Sequence, residues 1–336
     1  MRQSLSTRVS WFCLLLLVGV ILSSKPGRAD FTWHVQVGAQ SKDLGRQALA
    51  FLPNEIWIHQ NDNITFRSAV DEPHTVTFMK PMQVRPIDFT QGCGGVPPFS
   101  TSPATFNNTA CVSTPPLFKG DTFTIQFTKT GNYKVVCLLH PDMTGTIHVL
   151  AAADPLPHEQ PYYDALADDQ ADHLLSEADH DGHDGHGGWQ HAASHAITVG
   201  DAEILANGGG KSTAALMRFT DSTMTIQVGD TVEWENRDPA TPHTITFGKE
   251  PDDSVVPFPS ADVTTDHDGA RHATLNKPGD STHSGFIMAA PEEVPFVPTP
   301  PVGTTKFRVT FKSAGTYPFI CALHDGLGMK GQIIVK

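Results

Sequence analysis

The feature that most constrains this chain is that it repeats itself. One segment reads Phe123-Thr-Ile-Gln-Phe127, followed by Gly131, Tyr133, Cys137, His140, Met143 and Gly145. Another reads Phe307-Arg-Val-Thr-Phe311, followed by Gly315, Tyr317, Cys321, His324, Met329 and Gly331. The offsets from Phe127 and Phe311 to Gly, Tyr, Cys and His are identical. Upstream, Pro73-His74-Thr75-Val-Thr-Phe78 matches Pro242-His243-Thr244-Ile-Thr-Phe247, and both units finish in a short apolar run. A repeat of this size means two similar domains rather than one enlarged core, and 336 residues accommodate two.

Within each unit the hydrophobic period is two. Phe123, Ile125 and Phe127 alternate with Thr and Gln, as Met224, Ile226 and Val228 do in the second unit. Short alternating runs separated by Gly, Asp, Asn and Pro are the pattern of an all-β sandwich. Matching strands are expected within 56–66 and 224–234. Two long loops, 80–119 and 248–303, separate the first histidine of each unit from its cysteine strand.

Residues 1–29 read as a secretory signal peptide: Arg2 and Arg8, an apolar run of 12 residues from Trp11 to Leu22, then small and polar residues to Ala29. The run is shorter than the ~20 residues of a spanning helix, and no other stretch is long enough. A periplasmic or secreted protein, without a transmembrane span after cleavage, is expected. Its charge would then be −17, from 19 Lys+Arg against 36 Asp+Glu, which excludes binding to nucleic acid through backbone phosphates. Cys93 and Cys111 bracket a Gly/Pro/Ser/Thr-rich loop and are expected to form a disulfide in an oxidising compartment.

The expected organisation is residues 30–150 as the first domain, 151–196 as an acidic, His/Gly-rich linker and 197–336 as the second domain. One short helix is expected over 162–178, where Ala167, Ala171, Leu174 and Ala178 share a face. After it comes a glycine-rich stretch with His180, His183 and His186 at every third position beside Asp. That stretch reads as a flexible spacer, with the chemistry for weak binding of Cu(II), Zn(II) or Ni(II).

The remaining cysteines carry the chemistry. A lone Cys on an apolar strand is ordinarily an inert core thiol. Here each is followed by His three residues later and then Met, with another His far upstream: His74 before Cys137, His140 and Met143, and His243 before Cys321, His324 and Met329. Two imidazoles and a thiolate in a plane with a weak axial thioether suit both Cu(II) and Cu(I), so little ligand movement separates the oxidation states. On these residues each half resembles a cupredoxin of the plastocyanin, amicyanin and pseudoazurin type. The loop between His140 and Met143 is similar to that of amicyanin, and the longer loop between His324 and Met329 to that of plastocyanin. The resemblance spans about 31–150 and 197–336. It implies two tandem Greek-key β-sandwiches, one type 1 copper per domain held by those eight residues, and one-electron transfer with redox partner proteins. Thr75 and Thr244 stand where those families commonly have Asn, which leaves open how the thiolate is hydrogen-bonded.

Three function classes follow. An electron carrier would use the apolar rims around His140 (Leu139, Pro141) and His324 (Leu323, Leu327) for brief docking. A copper oxidase or nitrite reductase would need a second copper centre joined through a His beside the ligand Cys. The neighbours here are Val136, Leu138, Ile320 and Ala322, so no enzyme is expected. Copper storage, delivery or sensing is the alternative that would use the histidine-rich stretch.

Overall fold

A computed structural model of the chain describes residues 30–86, 89–94, 97–178, 195–289 and 304–336. The expected signal peptide and His180, His183 and His186 lie outside the described residues. The first unit contains β1 (Thr32–Gln40), β2 (Arg46–Leu52), β3 (Glu55–His59), β4 (Asn63–Ser68) and β5 (Thr77–Phe78). It continues with β6 (Ala104–Phe106), β7 (Val112–Ser113), β8 (Thr122–Phe127), β9 (Gly131–Val136) and β10 (Thr144–Leu150). A helix, α1 (Gln160–Glu177), follows. The second unit opens with β11 (Ala196–Ala206), β12 (Lys211–Phe219), β13 (Thr223–Ile226), β14 (Thr231–Arg237) and β15 (Thr246–Phe247). Then come β16 (Thr264–Thr265), β17 (Arg271–Leu275), β18 (Thr282–His283), β19 (Lys306–Phe311), β20 (Gly315–Ile320) and β21 (Lys330–Val335).

The two-residue period does what it implies on β8, but in the second unit β13 ends at Ile226 and Val228 is exposed. On β8, Phe123, Ile125 and Phe127 are buried while the residues between them face outward. Each unit is a sandwich. In the first, the order β3-β10-β9-β5-β7 faces β2-β1-β4-β8-β6; in the second, β13-β21-β20-β15-β18 faces β12-β11-β14-β19-β17-β16. Phe66, Phe78, Phe106 and Phe127 meet in the first core, and Trp234, Phe247, Phe311 and Phe319 in the second. Each such side chain contributes on the order of 1.5–3 kcal/mol by leaving water. Cys93 and Cys111 are disulfide-bonded across the long loop of the first unit.

The halves are not held apart by a free linker. Strand β12 pairs antiparallel with β2, with Thr213 opposite Leu49 and Leu216 opposite Arg46, so two sheets become one of eleven strands. An exposed edge would leave N–H and C=O groups open to other chains, and here each half covers the edge of the other. Helix α1 lies over this seam. Its Leu174 and Ala178 pack on Ala39, Ala48, Ala50 and Ala214, where small side chains let the helix approach closely. The hydroxyl of buried Tyr163 accepts the Trp57 N–H at 3.1 Å, and Gln170 Oε1 accepts that of Asn54 at 3.2 Å. Residues 160–178, expected within a linker, are therefore a packed element. Proline near the first turn presets the helical φ and helps place its start two residues before the expected one.

Candidate metal centres

In each half the site is assembled from two ends of the sequence by the same strands. His74 forms an isolated bridge to Leu117, and His243 one to Ile287, just before β5 and β15. Cys137 follows β9 and Cys321 follows β20, so each cysteine leaves its sheet beside the early histidine. The chain then turns back. Cys137 N–H donates to Met143 O at 3.0 Å and Met143 N–H to His140 O at 3.1 Å. In the longer loop the equivalent bonds, Cys321 N to Met329 O and Met329 N to His324 O, are both 3.1 Å. The two extra residues are absorbed by a 3-10 turn at Asp325–Leu327, closed by Gly328 at φ 93°, a left-handed conformation glycine adopts without strain.

These turns bring the sequence-predicted donors together. In the first half the Nδ1 atoms of His74 and His140 are 3.0 Å apart, and Cys137 Sγ lies 4.0 and 3.6 Å from them. In the second, His243 and His324 Nδ1 are 3.0 Å apart, with Cys321 Sγ at 3.8 and 3.4 Å. All six residues are buried, as are Met143 and Met329. An ion about 2.0 Å from each nitrogen and about 2.3 Å from sulfur in a symmetric plane would hold its donors roughly 3.5–3.7 Å apart. With the nitrogens closer and each sulfur farther from one nitrogen than from the other, both trios fit a three-coordinate first-row metal with unequal angles. The donor set, two imidazoles and a thiolate, is the kind copper selects.

The threonines resolve the hydrogen-bonding question left open by the sequence. Thr75 N–H donates to Cys137 Sγ at 3.3 Å, while Thr75 Oγ1 accepts the Leu138 N–H at 2.7 Å. Thr244 N–H and Oγ1 do the same for Cys321 (3.4 Å) and Ala322 (2.8 Å). The main chain thus supplies the shorter bond to sulfur, while each hydroxyl donates to it at 3.9 Å and pins the residue after the cysteine.

Electrostatics in both pockets favour separated charge. Burial opposes ionisation of Cys137, but hydrogen bonds from His140 and His74 outweigh it and hold the thiol well below its ordinary range. Cys321 is lowered in the same way, against burial, by the charge of His324 and hydrogen bonds from His243 and His324. Burial pushes the His140 ring down, yet Cys137 and Glu72 raise it to about 10. His243, likewise opposed by burial, is raised to about 9 by Asp238 and Cys321, whereas burial dominates for His74 and lowers it.

Four residues were missed by the sequence reading. Gly38 (φ +73°) and Gly200 (φ +63°) sit at bulges in β1 and β11, against the back edges of His74 and His243. A Cβ on Gly38 would lie 2.8 Å from His74 Nε2, and one on Gly200 would overlap His243 Nε2. Their shared place in the repeat, after Val37 and Val199, was the signal available. Asp238 Oδ2 lies 3.2 Å from His243 Nε2. Glu72, two residues before His74, reaches His140 Nε2 with Oε1 at 3.3 Å and His324 Nε2 with Oε2 at 3.6 Å. Burial alone would raise the Glu72 carboxyl; the charge of His324 and the hydrogen bond from His140 bring it down to about 2.

The imidazoles that the apolar docking rims were expected to surround are not accessible to a partner. His140 and His324 are 3% and 2% exposed, because the ligand loops of the two halves face each other. Leu327, expected on an apolar docking rim, is buried in the core of the first half with Met217 and Ala240.

The copper-binding proteins of the plastocyanin/azurin family match residues 37–150 and 206–336, and the chain belongs to that family. It is a tandem cupredoxin. A plastocyanin of Scenedesmus fuscus is 31% identical over 127 residues, 38% of this chain and 94% of that protein. A chloroplastic plastocyanin of Tetradesmus obliquus is 30% identical over 127 residues, 38% of this chain and 63% of that protein. A solved structure of an amicyanin variant in its reduced Cu(I) form aligns with a TM-score of 0.24 at 19% identity, covering 37% of this chain and 87% of that one.

Proposed function

We propose that the protein carries single electrons between redox partner proteins, using one type 1 copper ion in each half. His74, Cys137, His140 and Met143 would hold one ion. His243, Cys321, His324 and Met329 would hold the other. Bound copper supplies the Cu(II)/Cu(I) couple, and the residues supply a fixed frame for it. Strand β5 and the turn after β9 set the first three donors, and β15 with the turn after β20 set the second three. Their burial excludes water, and hydrogen bonds from Thr75 and Thr244 orient each sulfur. The observation that carries this reading is the same buried meeting of two Nδ1 atoms and one Sγ in both halves.

No histidine adjoins Cys137 or Cys321 in sequence, which favours a carrier over an oxidase or nitrite reductase. We also propose that the protein works outside the cytoplasm, in the periplasm or beyond. The Cys93–Cys111 disulfide supports this, since such bonds persist in oxidising compartments. No helix among the described residues is long and apolar enough to cross a membrane.

Copper titration followed by optical and paramagnetic spectra tests the assignment. We expect two equivalents and an intense thiolate-to-copper band, with Cys137→Ser and Cys321→Ser each removing one centre. A colourless copper-loaded protein would sink the reading. Further colourless equivalents, lost when His180, His183 and His186 are replaced, would turn it toward storage or delivery.

A further inference from the structure

We propose that Glu72 joins the two centres, so that electrons pass between them inside the molecule through His140, the Glu72 carboxylate and His324. The inference rests on the copper reading above and concerns what lies between the two sites.

Each late-loop histidine turns its Nδ1 toward its own cysteine, at 3.6 Å for His140 and 3.4 Å for His324. The Nε2 of each ring therefore points away from its own site. In a lone cupredoxin domain such an edge would face solvent; here both edges meet one carboxylate. Oε1 lies at hydrogen-bond distance, 3.3 Å, from His140 Nε2. Oε2 lies 3.6 Å from His324 Nε2, longer than a hydrogen bond but too short to admit a water between them. Glu72 is 7% exposed, so solvent does not screen or compete for these contacts. The second half has Thr241 where the first has Glu72, so a single carboxylate serves both rings.

The spacing is held from several directions. Strand pairing of β2 with β12 fixes the two sheets in one register. Arg218 donates from Nη1 to Leu327 O at 2.8 Å, in the second ligand loop, and its Nη2 lies 3.7 Å from Asp43 Oδ2 in the first half. Leu327 itself is anchored in the core of the first half. A carboxylate hydrogen-bonded to the far nitrogen of a metal-bound imidazole fixes the orientation and electron density of that ring; this one does so at one ring and touches the second.

The transfer is balanced without protons. With copper in both centres, one electron would leave Cu(I) at one and reduce Cu(II) at the other, while the ring N–H protons would stay on nitrogen. The first electron comes from an external one-electron donor protein. Glu72 acts as a positioning residue.

The test uses the full chain. In metal-free protein, nitrogen-15 NMR of the imidazoles is expected to show a His140 Nε2 proton protected from solvent exchange, and Glu72→Gln is expected to change that resonance. In copper-loaded protein, flash reduction by a photogenerated flavin semiquinone is expected to give a re-equilibration phase between the centres that is absent from Cys321→Ser. Glu72→Gln, with both blue bands still present, is expected to slow that phase about tenfold, the effect of losing one charge-assisted contact. An unchanged phase, or a wild-type His140 Nε2 proton exchanging as freely as an exposed ring, would overturn the junction. The wild-type spectrum decides even if the variant misfolds. A colourless wild-type protein is a different failure: it removes the copper reading, and this inference with it.

Discussion

In the first half, the Nε2 atom of His74 faces Gly38 and Val70 and has no hydrogen-bond partner among the described residues, whereas the same atom of His243 lies 3.2 Å from a wholly buried carboxylate, Asp238 Oδ2. Counting back five residues from each histidine, Asp238 stands where the first half has Ala69. The first half instead carries Arg85, whose guanidinium donates to the carbonyls of Cys137 and Pro141 in the ligand loop. Both late histidines face the Glu72 carboxylate, but the early histidine has a carboxylate behind it only in the second copy, and the ligand loop has a guanidinium only in the first. A negative charge on the far side of an imidazole makes the ring a stronger donor and favours the more highly charged metal ion. A duplicated fold can in this way hold two centres of different electron affinity without changing a ligand type.

The largest expected effect comes from removing that asymmetry. Asp238 accepts the N–H groups of Ala240 and Thr241 at 2.8 and 3.0 Å, besides facing His243. Asp238→Ala leaves all three unpaired in a buried place and should cost about 3–5 kcal/mol, read by urea unfolding of metal-free protein. The milder Asp238→Asn should raise the reduction potential of the second centre and leave the first where it was. Equal stability and unmoved potentials would mean that the carboxylate does not distinguish the halves.

A smaller effect probes what the halves share. Gly38→Ala places a Cβ 2.6 Å from Val70 Cγ2 at φ +73°, and should cost about 1–3 kcal/mol of backbone strain. It should also push the His74 ring and weaken the first optical band, while Gly200→Ala weakens the second. Loss of both bands from either substitution would show that the sites respond as one unit.

The smallest expected effect is at a partly buried ion cluster, where Lys306 keeps the buried Glu233 paired when Arg308 is replaced. Glu233 pairs with Arg308 across β14 and β19, at the place where the first half pairs Thr65 with Thr124 across β4 and β8. Arg308 also reaches Asp266 and Asp268, and its hydrogen bond lowers the exposed Asp268 carboxyl from 3.8 to about 2. A carboxylate lowered on folding stabilises above its unfolded value and loses that contribution as pH falls through the folded one. Arg308→Gln should therefore lower the unfolding midpoint slightly at neutral pH, with the difference shrinking toward pH 2 and in high salt. A difference indifferent to both would rule out an electrostatic origin.

Much of this protein is written locally in its chain. Alternating Phe, Ile and Thr specify strands because a period of two is set by the backbone of a single strand. The Cys-to-His spacing, the same in both repeats, brings Cys137 to His140 and Cys321 to His324 because the turn after each strand is short. Even α1 was legible from Ala167, Ala171, Leu174 and Ala178, which one helix face collects. The roles of Glu72 and Asp238, the seam between β2 and β12 and the burial of the His140 and His324 edges were not legible in this way. Glu72 meets His324 across 252 positions of chain only because two separately formed sandwiches pack edge to edge. Side-chain patterns report which face of an element is buried, and they do not report which domain buries it. That was decided by the packing of the two halves against each other.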